Sequence, residues 1–156
     1  MVRVKVCGIT NPTDAKMAAR LGADAIGFNF SVGPRRVTKE RARAIIASLP
    51  PFVTPVGLFV NEEVKTVLEV CEFTGITTIQ LHGDERPSYV ARFPRFRVIK
   101  AFRIASRSDL SRLPRYQVDA YLLDAYVPGK RGGCRPAGRS RPATAACAGP
   151  PVPPHN

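Results

Sequence analysis

The sequence has no tryptophan, two methionines, and half as many acidic as basic residues, Asp+Glu 12 against Lys+Arg 24, for a formal charge of +12. No apolar run approaches the roughly 18 residues of a membrane span, and Met1-Val2-Arg3-Val4-Lys5 lacks the apolar block of a signal peptide. A soluble, cytoplasmic protein is therefore expected. Cysteine is scarce: Cys7, Cys71, Cys134 and Cys147 show no CxxC spacing. Without an export signal they read as free thiols, which excludes a disulfide scaffold. Cys134, Cys147 and His155 fall short in number and spacing for zinc, so no metal is expected. A glycine-rich dinucleotide turn is also missing, since Cys7-Gly8-Ile9-Thr10 after the first apolar run is no GxGxxG.

What is present is enough apolar sequence, 44 % of 156 residues, to build one core. β-Branched runs start near Arg3 (RVKVC), Asp24 (DAIGFNF), Thr54 (TPVGLFV), Ile76 (ITTIQL), Arg97 (RVIKAF) and Asp119 (DAYLLD). Each is apolar on both faces, as a buried parallel strand must be. Amphipathic stretches separate them, and several carry helix-start signals: Asn11-Pro12-Thr13-Asp14, Thr38 with Glu40, Asn61-Glu62-Glu63, and Asp84-Glu85-Arg86-Pro87. Caps, acidic first turns and early prolines are marks of helix N-termini. About six βα units in succession predict an α/β fold with a parallel sheet. Chemically capable residues cluster after the strand ends (Cys7, Arg35, Asn61, His82, Asp84, Arg103, Asp124), where (β/α)8 barrels keep their active sites. That favours a TIM barrel over a doubly wound sheet.

The composition shifts near Gly133. Residues 130–156 hold five basic residues, no acid and six prolines. From Cys134 onward there is neither periodicity nor an aromatic residue, so two regions are expected: a partial barrel over 1–133 and a disordered basic tail over 134–156.

The blocks VKVCGITNPTDA, GADAIGFNF, GPRRVT, PPFVTPVGLFVN, IQLHGDE, VIKAFR and VDAYLLDAYVPGKRGG, in that order, resemble the phosphoribosylanthranilate isomerases over about residues 2–133. The resemblance implies a (β/α)8 barrel of tryptophan biosynthesis. Its reaction turns N-(5-phosphoribosyl)anthranilate into 1-(o-carboxyphenylamino)-1-deoxyribulose 5-phosphate by an Amadori rearrangement, without cofactor or metal. Its partner would be this small phosphorylated substrate, with no nucleic acid or membrane involved and the oligomeric state left open. It further implies Cys7 as the base that removes the C2 proton and Asp124 as the acid that protonates the furanose oxygen. A base thiol needs surroundings that favour the anion; an acid carboxyl needs burial that keeps its proton. Arg35 would hold the anthranilate carboxylate, a planar anion suited to a guanidinium fork. The GPRRV loop is one residue shorter than the usual pattern, which makes Arg36 the alternative. Gln80 and His82 would line the same pocket.

After Gly133 the family pattern stops. A threonine-glycine pair and a Phe-Asp-Trp helix start are replaced by Cys134-Arg135-Pro136-Ala137, a composition typical of a GC-rich frame read out of register. Strands seven and eight are expected to be missing, and with them the loops that frequently bind phosphate in such barrels. Little turnover is then expected of the 156 residues as they stand. Two other readings compete: a non-catalytic partial barrel, and a polyanion-binding protein acting through the basic tail.

Overall fold

The computed structural model describes residues 2–125 and the backbone of Cys147–Ala148. The first six strands are β1 (Lys5–Cys7), β2 (Ala25–Asn29), β3 (Thr54–Phe59), β4 (Thr78–Leu81), β5 (Arg97–Ile104) and β6 (Ala120–Ala125). They pair in sequence order, every neighbour parallel. Helices α1 (Pro12–Arg20), α2 (Lys39–Ile46), α3 (Val64–Thr74) and α4 (Pro87–Val90) fill the first four connections. A sheet of sequential parallel strands with helical crossovers is the (β/α)8 pattern over its first six strands.

Alternation along the strands separates two environments. Ile26, Phe28, Phe59, Ile79 and Leu81 point toward the helices and form one core with Ala15, Ala42, Ile45, Val67, Cys71, Val90 and Phe93. Phe28 is fully buried there, and its truncation to alanine would cost about 3–5 kcal/mol. The opposite face carries Cys7, Gly27, Gln80, Arg103 and Asp124, matched by the strand registers. Core and site therefore occupy opposite faces of one sheet.

Two carboxylates pin the N-terminal ends of the strands. Asp24 Oδ2 accepts from the Val4 N–H at 2.7 Å, and Asp119 Oδ2 accepts from the Val98 N–H at 2.7 Å. The first of these bonds, with the Arg3 guanidinium, holds the Asp24 carboxyl below the usual carboxylate range.

Two helix-start readings hold in detail: Asn11 accepts from the Asp14 N–H and Thr38 from the Arg41 N–H. Two others do not. The caps of α3 and α4 are Glu63 and Arg86, neither making a side-chain cap bond. Asn61 and Glu85 bind other loops instead. The fifth connection is a 3₁₀ helix, Arg107–Arg115, rather than an α-helix; Pro114 inside it cannot donate to an α-helical ladder.

The tail expectations for 134–156 lie outside the described residues, with one exception. Cys147–Ala148 forms β7, antiparallel to β6 at Leu122 and Tyr121, where the sequence predicts no strand. Among the described residues no helix is long and apolar enough to cross a membrane.

Candidate active site

Cys7 is the last residue of β1, and Gly8 follows it at φ 83°. A β-carbon on Gly8 would stand 2.7 Å from the guanidinium carbon of Arg35. The left-handed backbone favours glycine here, and its missing side chain leaves the guanidinium its place. Through that gap Arg35 Nη1 donates to the Cys7 carbonyl at 2.9 Å. Arg36, the alternative, is exposed, and its backbone bridges to Asn29. Of the two arginines, only Arg35 is brought against Cys7.

Cys7 also owes its place to Gly27, its register partner on β2. A β-carbon there would lie 2.7 Å from Cys7 Sγ and 3.1 Å from Lys5 Nζ. The absent side chain is the space that the thiol occupies. Cys71, by contrast, packs in the helix-side core, where burial pushes its thiol up to about 12. It is a small apolar core residue.

Gln80, His82 and Asp124 form a continuous chain. Gln80 Nε2 is 2.7 Å from His82 Nδ1, and His82 Nε2 is 3.3 Å from Asp124 Oδ2. Gln80 is 1 % exposed. Burial pulls the His82 imidazole below its usual value, with Arg103 and Lys100 adding to the effect and Asp124 opposing it. A neutral ring at neutral pH follows. Arg103 is the register neighbour of Asp124 on β5, and its Nε is buried without a partner among the described residues. A cleft of about 160 Å³ opens here, bounded by His82, Asp84, Arg103 and Arg112.

The loop that presents His82 is held from behind by residues whose role the sequence reading did not identify. Lys100 and Glu85 are both nearly fully buried and pair at 3.0 Å. Glu85 accepts from the Asn61 N–H at 2.9 Å and the Gly83 N–H at 3.0 Å. Lys100 donates to the Gly83 and Ala101 carbonyls at 2.8 and 2.9 Å. Asn61, at φ 50°, accepts from the Asp84 N–H at 2.8 Å. The β3–α3 and β4–α4 loops are thereby tied together at one carboxylate. Lys100 lies inside β5 and Glu85 in a loop 15 residues away, so no periodicity links them; only the fold brings them together.

A larger, mostly apolar groove of about 360 Å³ lies elsewhere, between β1 and α1, around Val4, Val6, Met17 and Leu21. It lacks a pair of groups able to move a proton. Among the described residues no three His, Cys, Asp or Glu side chains group closely enough to hold a metal ion.

The family described as N-(5'phosphoribosyl)anthranilate (PRA) isomerase matches residues 4–134. Curated relatives named N-(5'-phosphoribosyl)anthranilate isomerase, from Geobacter metallireducens and Pelobacter propionicus, are 52% and 47% identical over 134 residues. These matches cover 85% of this chain and 66% and 64% of the relatives, so the chain spans just under two thirds of their length. The crystal structure of phosphoribosyl anthranilate isomerase from Thermotoga maritima aligns with a TM-score of 0.80 at 41% identity, over 86% of this chain and 66% of that one. A second crystal structure, of phosphoribosyl anthranilate isomerase in complex with reduced 1-(o-carboxyphenylamino)-1-deoxyribulose 5-phosphate, aligns at 0.77 and 42%, over 81% and 66%. The match spans Cys7, Gln80, His82 and Asp124, and on that footing the chain belongs to the N-(5'-phosphoribosyl)anthranilate isomerase family.

Proposed function

We propose that these residues form the proton-transfer part of an isomerase site acting on N-(5'-phosphoribosyl)anthranilate. The observation that carries the reading is the shared rim: the Cys7–Arg35 contact and the His82–Asp124 contact both stand where parallel strands end. In this reading Asp124 protonates the furanose oxygen, the ring C–O bond breaks, and an imine forms. Cys7 then removes the C2 proton to leave an enolamine, which tautomerises to the ketone. Arg35 binds the anthranilate carboxylate, and Gln80 and His82 line the pocket. The small phosphorylated substrate is its partner, and the cytoplasm its place.

Positioning through the phosphate is the remaining requirement, because a well-held substrate can lower a barrier by several kcal/mol, up to about 7–11. In (β/α)8 barrels that group frequently binds after strands seven and eight. The third of the relatives' length that this chain does not match is the natural source of that site. Turnover by the 156 residues alone is expected to be low and to rise when the unmatched segment of the Geobacter metallireducens relative is added in trans. Loss of anthranilate-substrate fluorescence reads both. Absence of turnover in the mixture, with the folded complex verified by sedimentation, would overturn the proposal.

A further inference from the structure

The Gln80–His82–Asp124 chain does more than line a pocket, and the following rests on the isomerase reading only for its kinetic consequence. A neutral imidazole carries one proton on one nitrogen. With Gln80 Nε2 donating to His82 Nδ1 at 2.7 Å, the ring proton must sit on Nε2. From there it donates to Asp124 Oδ2 at 3.3 Å. Gln80 Oε1 is then left buried with no partner among the described residues, a costly arrangement for an amide in a dry site.

Turning the amide by half a rotation about its last bond exchanges the roles. Oε1 accepts from a proton on Nδ1, Nε2 of the ring becomes an acceptor, and it can be satisfied by Asp124 only if that carboxyl carries its proton. The second arrangement therefore needs a proton on the carboxyl that the first does not. We propose that Gln80 is a positioning residue whose amide orientation selects the tautomer of His82 and so decides whether the ring donates its hydrogen bond to Asp124 or accepts one from it. The charged groups that act on the ring are Asp124 from β6 and Arg103 and Lys100 from β5; Gln80 is the neutral group at its other nitrogen, and its amide can serve as donor or acceptor.

The sequence contains two histidines, His82 and His155, so a His155→Asn background leaves a single imidazole to observe. Ring-nitrogen NMR shifts of the ¹⁵N-histidine-labelled full chain report which nitrogen is protonated. With Gln80 present, one neutral tautomer is expected; in Gln80→Met and Gln80→Leu both should appear. Far-ultraviolet circular dichroism identifies a variant that has not folded, in which case the other decides. A tautomer mixture with Gln80 present, or one unchanged tautomer in a folded variant, would overturn the inference. In the complemented isomerase assay, Gln80→Met should lower kcat with little change in KM, the pattern of an interaction that acts on the chemical step rather than on binding. A tautomer change without any turnover would sink the isomerase reading and keep this one.

Discussion

Gly27 stands in register with Cys7 across the first parallel pair, and a methyl group there would come within 2.7 Å of Sγ. The thiol is placed as much by an absent side chain on β2 as by its own strand. Gly27→Ala should therefore displace Sγ while leaving the helix-side core intact. Because a 1 Å misplacement can cost on the order of a hundredfold, kcat in the complemented assay should fall by roughly that factor with little change in KM. Cys7→Ala should lower kcat further. A Gly27→Ala protein with full turnover would separate Cys7 from the chemistry.

Arg35 should act in binding. Arg35→Ala is expected to raise KM several-fold with a smaller change in kcat, the pattern of lost uniform binding. Arg36→Ala, an exposed residue, should do little. Steady-state kinetics of the two variants checks the ranking, and its reversal would move the carboxylate contact to Arg36.

Removing one member of the Lys100–Glu85 pair should destabilise strongly. A buried charge left without its counter-ion typically costs about 3–5 kcal/mol. Lys100→Met and Glu85→Gln are each expected to lower the urea midpoint. In Glu85→Gln the β3–α3 and β4–α4 loops should also lose amide-exchange protection at Asn61 and Gly83. Unchanged protection there would mean that the carboxylate does not tie the loops.

His82 sets a pH dependence of stability. Its folded value lies below the ordinary 6.5, so the unfolded chain binds more protons between the two values, and stability falls as pH drops through that window. The loss should begin near about pH 6.5 and continue below it. Urea midpoints measured on either side of that pH should differ more in the parent protein than in His82→Asn. Equal acid sensitivity in both would assign the dependence to other groups.

The strands and their parallel order were legible because apolar runs recur in a regular alternation with amphipathic segments, and two caps, Asn11 and Thr38, act as local chemistry dictates. Local chemistry misleads at Asn61 and Glu85. Acidic and amide residues before a helix read as caps, yet long-range donors compete for the same oxygens and win. The chain from Gln80 to Asp124 was half legible. Gln80 on β4 and His82 just beyond its end fall on one side at a spacing of two, whereas the approach of His82 to Asp124 crosses from the end of β4 to β6, and no periodicity encodes a contact between elements that are not neighbours. The 3₁₀ geometry of the fifth connection is not legible in the sequence, because Pro114 weakens an α-helical pattern without naming its replacement.

Buried ion pairs can often be traded for apolar residues of similar volume with little loss. The pair at Lys100 and Glu85 is closed to that exchange. A leucine and a methionine would fill the space, yet the N–H groups of Asn61 and Gly83 and the carbonyls of Gly83 and Ala101 would lose their partners together. No single substitution is neutral, and the double one leaves the backbone unsatisfied. Among descendants of this sequence the two positions should drift less than the candidate site residues in front of them, where a change is expected to cost turnover but not the fold.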